Sequence, residues 1–347
     1  MRSLQKSKEQ WLDEGNQLYD RAHYQEALQA YERAVQLDPN FAEAHDARGD
    51  ALSSLQRSQE ALAAYEQAIQ LDPNYAHAYE GEGNVFYNLK LYYEALEAYE
   101  QAIRFDPSSA SAYNGKGDAL YYLKRYQEAL LAYERAIQLD PSYATAYNGK
   151  SWTLWQLKRF EEALIAYEQS IRLDPSCAST YNGEGNTLYD LNHYQEALAA
   201  YEQAIQLDPK LAYAYDGKGW ALWRLKHYRE ALEAFQLALV LNPHYASAYN
   251  GRGNVLYNLR RPQEALATYE RAVQLKPHLA EAYHNKAAVL YDLQRYEEAL
   301  AVHDKAIQLQ PRNAVFYNYK SRTLKQLGRL EEAQQAYEKA RQLEYTG

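Results

Sequence analysis

Cysteine is nearly missing from this 347-residue chain. The single copy, Cys177, rules out an intramolecular disulfide framework and suits a reducing compartment. Long apolar runs are missing too. The opening MRSLQKSKEQ holds none that would serve as a signal peptide, and no segment approaches the roughly 20 residues of a membrane span. A soluble, cytoplasmic protein with no membrane association is therefore expected. Positive charge is in deficit: 37 basic against 46 acidic residues leave a net charge of −9. That balance argues against nucleic acid as a partner, because neutralising phosphates needs a basic stripe. No linker, low-complexity stretch or second domain is visible.

Catalytic signatures are equally thin. Gly-x-Gly recurs, as in Gly115-Lys116-Gly117, but inside helical pattern rather than between a strand and a helix, and no Gly-Lys-Ser/Thr follows. The nine histidines are scattered, with His23, His193 and His227 at one turn position of separate segments, so no metal cluster is expected. Cys177 has no patterned histidine partner and reads as a small apolar residue. No enzyme and no cofactor are expected.

What the chain does have is a period. Proline stands at 39, 73, 107, 141, 175, 209, 243, 277 and 311, a constant spacing of 34 residues. This divides the chain into ten units: 8–41, 42–75, 76–109, 110–143, 144–177, 178–211, 212–245, 246–279, 280–313 and 314–347. Residues 1–7 are expected to extend the first helix as a short cap. Position 20 of every unit is Ala, from Ala27 to Ala333, and position 27 is Ala except at Ser170. Position 8 is always small, while positions 4 and 24 are each aromatic in nine units. Between Ala110 and Leu123, and again between Tyr126 and Leu139, apolar residues fall at helical spacing, so each unit reads as two antiparallel helices. Small residues let the helices approach. Asp140-Pro141 closes the second helix, because the proline ring disfavours helical geometry in the residue before it. A lone helix pair cannot bury both faces, so the units stack. In the last unit, positions 21 and 28 turn from aliphatic to Gln334 and Arg341, as a terminal repeat needs, and the array is expected to end there.

The pattern of aromatic, small, large apolar, Ala, aromatic, Ala and Pro resembles the tetratricopeptide repeat and covers nearly all of the chain. The resemblance implies an all-α fold, a right-handed α-α superhelix, and a non-catalytic scaffold for protein or peptide partners. It also implies that the first helices line a concave face, with ligand contacts at repeat positions 2, 5, 6, 9, 12 and 13. Carried over, position 5 gives Asn114, Asn148, Asn182 and Asn250, with Asp46 and Asp216 as variants, and position 9 gives Asn84, Asn186 and Asn254, with Asp50 and Asp118. Asn182 with Asn186, and Asn250 with Asn254, lie one helical turn apart and are expected to offer stacked amides to a peptide backbone. The alternative is a merely solvated polar face.

Glycine at position 6 (Gly81, Gly115, Gly149, Gly183, Gly217 and Gly251) sits mid-helix, where it costs roughly 0.5–1 kcal/mol against Ala. Room for a partner in the groove is the functional reading, and simple duplication the plain one. Position 12 adds Tyr189 and Tyr257, and two i, i+3 pairs, Trp152 with Trp155 and Trp220 with Trp223, are expected as anchors. The competing reading packs them as core. Asp46, Asp50, Glu80 and Asp118 make the early units acidic, so the expected ligand carries basic residues there and an apolar or aromatic segment beyond. The lysines by which one subset of the family clamps acidic C-termini are largely absent, which weighs against that role. A self-associating rod and a recruiting arm of a multidomain enzyme are the rival functions.

Overall fold

The structure, a computed structural model, describes residues 6–345. Among the described residues it holds twenty α-helices and no strand. Every repeat contributes a first helix of 13 residues and a second that starts at repeat position 17, from Lys8–Asp20 and Tyr24–Leu37 to Ala314–Gln326 and Leu330–Tyr345. The expected helical extension before Lys8 is not found where the structure describes it. Ser7 is instead the N-cap, its Oγ accepting from the Gln10 N–H at 3.3 Å while Gln10 Oε1 accepts the Ser7 N–H at 2.9 Å. This capping box satisfies donors that a longer helix would leave to the next turn. Residues 1–5, the rest of that expectation, lie outside the described residues.

The turn inside each repeat is a Schellman motif. In repeat two the Arg57 N–H reaches the Leu52 carbonyl and the Gln56 N–H the Ser53 carbonyl, both at 2.9 Å. Repeat position 15 therefore takes the left-handed conformation: Ala22 has φ 60°, Gln56 60° and Lys124 61°, and only repeat ten supplies glycine there, Gly328 at 74°. Ala22→Gly is expected to raise stability by roughly 0.5–1 kcal/mol in chemical denaturation, since it relieves a backbone cost greater than the entropy that glycine adds. A lower midpoint for the variant would contradict this. At the other end, Asp140 Oδ1 accepts from the Ser142 N–H at 2.9 Å and its hydroxyl at 2.6 Å, and these bonds hold the carboxyl below the usual carboxylate range. Pro141 then prevents continuation.

The helices gather into two compact units, Met1–Pro175 and Ser176–Gly347. Within each, a second helix packs on its own first helix and on the next one, which makes each unit a solenoid of helix pairs. The alanines at positions 20 and 27, such as Ala129, Ala136, Ala265 and Ala272, have no exposed surface and set the close approach. Gln334 and Arg341 are exposed, whereas the aliphatic Leu300 at the equivalent of Gln334 is buried.

Position 24 is the centre of the packing. The Tyr99 ring lies between two bare helix backbones: a Cβ on Gly83 of its own repeat would stand 2.7 Å from the ring, and one on Gly115 of the next repeat 2.4 Å. Tyr65 sits likewise between Gly49 and Gly81, Tyr133 between Gly117 and Gly149, Tyr201 between Gly185 and Gly217, and Phe235 between Gly219 and Gly251. These seats correct the expectation that Gly81, Gly115, Gly149, Gly217 and Gly251 leave room for a partner. The space beside them is filled by the ring of the preceding repeat. Gly-x-Gly is thus a double socket, one glycine for the ring before it and one for the ring after.

Candidate functional site

Each tyrosine seated in this way extends its hydroxyl to position 9 of its own repeat. Tyr99 donates to Asn84 Oδ1 at 2.7 Å, Tyr65 to Asp50 at 2.7 Å, Tyr133 to Asp118 at 2.7 Å, Tyr201 to Asn186 at 2.8 Å and Tyr269 to Asn254 at 2.5 Å. The position-9 polar residues are therefore fixed from beneath by the core. Where position 9 is tryptophan the logic changes. Trp220 lies edge-on to Phe235 at 5.5 Å, a ring with no hydroxyl to place, and Trp152 lies edge-on to Tyr167 at 6.1 Å.

Position 5 departs from the expectation of amides open to a ligand. Asn182 is 4% and Asn250 6% exposed, and the acidic variants Asp46 and Asp216 are 4% and 6% exposed, so these four are packed between helices. Asn285 Nδ2 donates to both Asn250 Oδ1 and Asn254 Oδ1 at 3.1 Å, which ties that expected pair together from a neighbouring repeat. Asn114 donates through Nδ2 to Asp118 Oδ2 at 3.1 Å and, like Asn148, stays partly accessible. Glu80 is partly accessible and accepts from Ser109 Oγ at 3.0 Å.

Both tryptophan pairs are edge-on, with ring centres 6.0 Å apart for Trp152 and Trp155 and 5.8 Å for Trp220 and Trp223. Trp152 and Trp155 pack against Leu130, Leu154 and Tyr167, while Trp220 and Trp223 pack against Leu222 and Phe235. All four stay partly accessible, so each side chain has a core edge and a surface edge. Trp223 Nε1 donates to Asn258 Oδ1 at 2.8 Å. At position 12, Tyr189 lies edge-on to Tyr194 at 5.4 Å, and the hydroxyl of the exposed Tyr257 is bonded to Asp292, which with burial pushes its pKa up to about 12.

Electrostatics divides the acidic residues. Asp46 Oδ2 pairs with His77 Nδ1 at 2.8 Å, and this hydrogen bond raises the imidazole pKa to about 9. Asp50, pushed up to about 6 by burial and then by Asp46, joins them, and donor atoms of all three lie within 4.8 Å of one another. Sequence reading missed this group because His77 stands 31 residues from Asp46, a separation that means contact only once the stacking register is known. A protonated His77 supplies the cation there. Asp216 is pushed up to about 7 by burial, against donors that include Ser247 Oγ at 3.0 Å. Asp118 is pushed up to about 6 by burial, opposed by bonds from Tyr133 and Asn114.

Two pockets gather the expected residues. In the first unit one of about 440 Å³ brings together Asn114, Asp118, Asn148 and Trp152. In the second, one of about 390 Å³ joins Trp223, Asn254 and Tyr257. Among the described residues no helix is long and apolar enough to cross a membrane.

Comparison with known proteins agrees with this geometry. A tetratricopeptide repeat profile matches residues 47–110, 114–178 and 217–280, more than half of the chain, and related repeat profiles match 15–56, 178–211 and 278–345. No curated protein matches significantly. Among solved structures, a tetratricopeptide repeat protein from Parabacteroides merdae is similar at 18% identity and a TM-score of 0.58, over 72% of this chain and 98% of that one. Yeast Tom70 is similar at 15% identity and a TM-score of 0.51, over 97% and 92%. YrrB, a repeat protein described as having an unusual peptide-binding site, aligns at 27% identity over 55% of this chain and 97% of its own, with a TM-score of 0.46. Repeats of this kind support a protein-interaction scaffold, a class that is typically non-catalytic. The helix pairs at a period of 34, the seated position-24 rings and the profile matches together make the chain a member of the tetratricopeptide repeat family.

Proposed function

We infer that this protein is a non-catalytic scaffold that holds a peptide segment of a partner protein against its first helices. One observation carries the reading: both pockets that gather the expected residues are lined mainly by first-helix positions, with Asn148 and Trp152 in one and Asn254 and Tyr257 in the other. These side chains are aromatic and amide groups, which give contact area at low entropic cost and pair with peptide backbone. The basic partner expected from the acidic early units fits the first pocket, where Asp118 lies.

The test uses exposed lining residues, because the tryptophans also support the core. Tyr122 is 51% and Tyr257 37% exposed. The full chain, screened against an unbiased peptide library, is expected to enrich peptides whose affinity falls at least about tenfold, roughly 1.4 kcal/mol, in Tyr122→Ala with Tyr257→Ala. Stability of that variant should change by less than about 1 kcal/mol. Absence of any enriched peptide, together with concentration-dependent oligomers in sedimentation, would replace this reading with self-association.

A further inference from the structure

The pocket in the first unit is walled by aromatic rings. Tyr87, Tyr121, Tyr122, Tyr133 and Trp152 all line it, and Asp118 is its acidic group. Tyr122 stands edge-on to Tyr87 at 5.7 Å and to Tyr121 at 5.6 Å, so the wall presents ring faces and ring edges at several angles. Such a site takes a flat or compact apolar body, and its ring faces attract positive charge.

The state of Asp118 narrows this to a cation. Several acidic side chains of this unit have positive partners: Asp46 bonds His77, Glu100 pairs with Lys116 at 2.8 Å, and Glu134 pairs with Lys150 at 2.9 Å. Asp118 receives two neutral donors, the Tyr133 hydroxyl and the Asn114 amide, and no positive group among the described residues. Burial of a carboxylate without a countercharge is unfavourable, so an incoming cation recovers Coulomb energy that the folded chain lacks. Two of the lining residues, Asn114 and Asn148, each have a buried side-chain carbonyl oxygen with no hydrogen-bond donor among the described residues. The pocket is thus rich in acceptors and ring faces. A guanidinium brings five N–H donors in a plane that stacks on aromatic rings, whereas an ammonium brings three on a strongly hydrated point charge.

We propose that this pocket receives an arginine side chain of the bound peptide, its guanidinium on the Asp118 carboxylate between the tyrosine and Trp152 rings. The proposal rests on the peptide-binding reading above and names the residue that the first unit selects. The volume of about 440 Å³ lies within the range of roughly 300–1,000 Å³ seen for ligand pockets and leaves space for one long side chain.

The sequence itself supplies the test variant. Asparagine stands at position 9 in repeats three, six and eight, where Asn84, Asn186 and Asn254 accept the same tyrosine bond that Asp118 accepts. Asp118→Asn therefore keeps the Tyr133 bond and removes the charge, while the Asn114 amide turns so that its oxygen accepts from the new Nδ2. The chain has five tryptophans, so labelling with 5-fluorotryptophan gives a five-signal fluorine spectrum in which Trp152 is identified by Trp152→Phe. Blocked tripeptides of the form acetyl-Gly-Xaa-Gly-amide, with Xaa arginine, citrulline or lysine, serve as probes. The arginine peptide is expected to shift the Trp152 signal saturably. Citrulline, neutral and nearly isosteric, should bind at least tenfold more weakly, with lysine between. Asp118→Asn should bring arginine down to the citrulline level without lowering the melting temperature, since it relieves an uncompensated buried charge. Equal binding of arginine and citrulline, full arginine affinity in Asp118→Asn, or no arginine-dependent shift of Trp152 would each overturn the proposal. The library separates the two levels of inference: enriched peptides without arginine overturn this pocket assignment and leave peptide binding standing, whereas no enrichment removes the reading beneath it.

Discussion

Gly83→Ala combined with Gly115→Ala is expected to destabilise the first unit by about 3–5 kcal/mol, well beyond the sum of the single substitutions. In an exposed helix each change would be favourable by roughly 0.5–1 kcal/mol, because alanine loses less backbone entropy than glycine. Here both methyl groups point into one ring. Tyr99 is 2% exposed, and an added Cβ would approach it to 2.7 Å at residue 83 and 2.4 Å at residue 115. One methyl alone leaves an escape. Repeat two carries Ala47 at the position of Gly115, and Tyr31, the ring facing it, lies closer to its own glycine, 2.3 Å from the Cβ that Gly15 lacks. Gly115→Ala alone should therefore cost about 1–2 kcal/mol, the ring moving toward Gly83. With both seats filled that movement is blocked. Chemical denaturation of the two single variants and the double variant measures the coupling, and simple additivity would mean that the ring is not held between the two helices. Truncating Tyr99 to leucine in the double variant should recover part of the loss.

The same packing explains how much the sequence disclosed. Prolines at a period of 34, alanine at positions 20 and 27 and the aromatic at position 24 made the helix pairs legible, because each feature acts within one repeat. What depended on the neighbouring repeat was hidden. Gly115 looked like a bare groove floor until the structure placed Tyr99 of the preceding repeat against it. Asn182 and Asn250 looked like surface amides, yet both are buried, and Asn250 is bonded by Asn285 of the next repeat. His77 gave no sign that it would answer Asp46, a residue in another repeat. The turn at position 15 was silent for a different reason: its left-handed backbone is occupied by Gln56, Lys124 and similar residues, so the usual glycine signature appears only at Gly328. The aromatic pocket was half visible. Asp118, Asn114, Asn148 and Trp152 stood out by position, but that they share one cavity with Tyr87 follows from the register of three successive repeats.

Repeat nine carries the packing rule to its limit and yields the second large effect. Its position 8 is Ala287 and the facing position 6 is Tyr319, so neither glycine seat exists, and position 24 is a smaller ring, His303. His303 has no exposed surface, and neither ring nitrogen has a hydrogen-bond partner among the described residues. His284, at 5.7 Å between ring centres, and Tyr319, at 6.2 Å, face it, and the positive charge of Lys320 lies near. Burial, then His284 and Lys320, push its pKa down to about 3, and burial lowers His284 as well. An unfolded histidine titrates near 6.5, so the folded protein must exclude a proton that the unfolded chain binds. This stability is intact above pH 6.5 and is lost as pH falls from 6.5 toward 3, by about 2 kcal/mol at pH 5. Asp216 of the same unit works in the opposite sense. Its carboxyl, raised to about 7, binds a proton more readily when folded, so acidification through pH 7 adds stability. Comparison of wild type with His303→Phe cancels that contribution. Because repeat arrays open locally, the measurement is amide exchange in the flanking helices Ala280–Asp292 and Ala314–Gln326 at pH 7 and pH 5, corrected for intrinsic exchange. Wild type should lose about 2 kcal/mol of protection relative to His303→Phe over that interval. Equal losses in the two proteins would show that His303 takes up its proton without opening the fold, and that the site between repeats nine and ten is wetter than its packing implies.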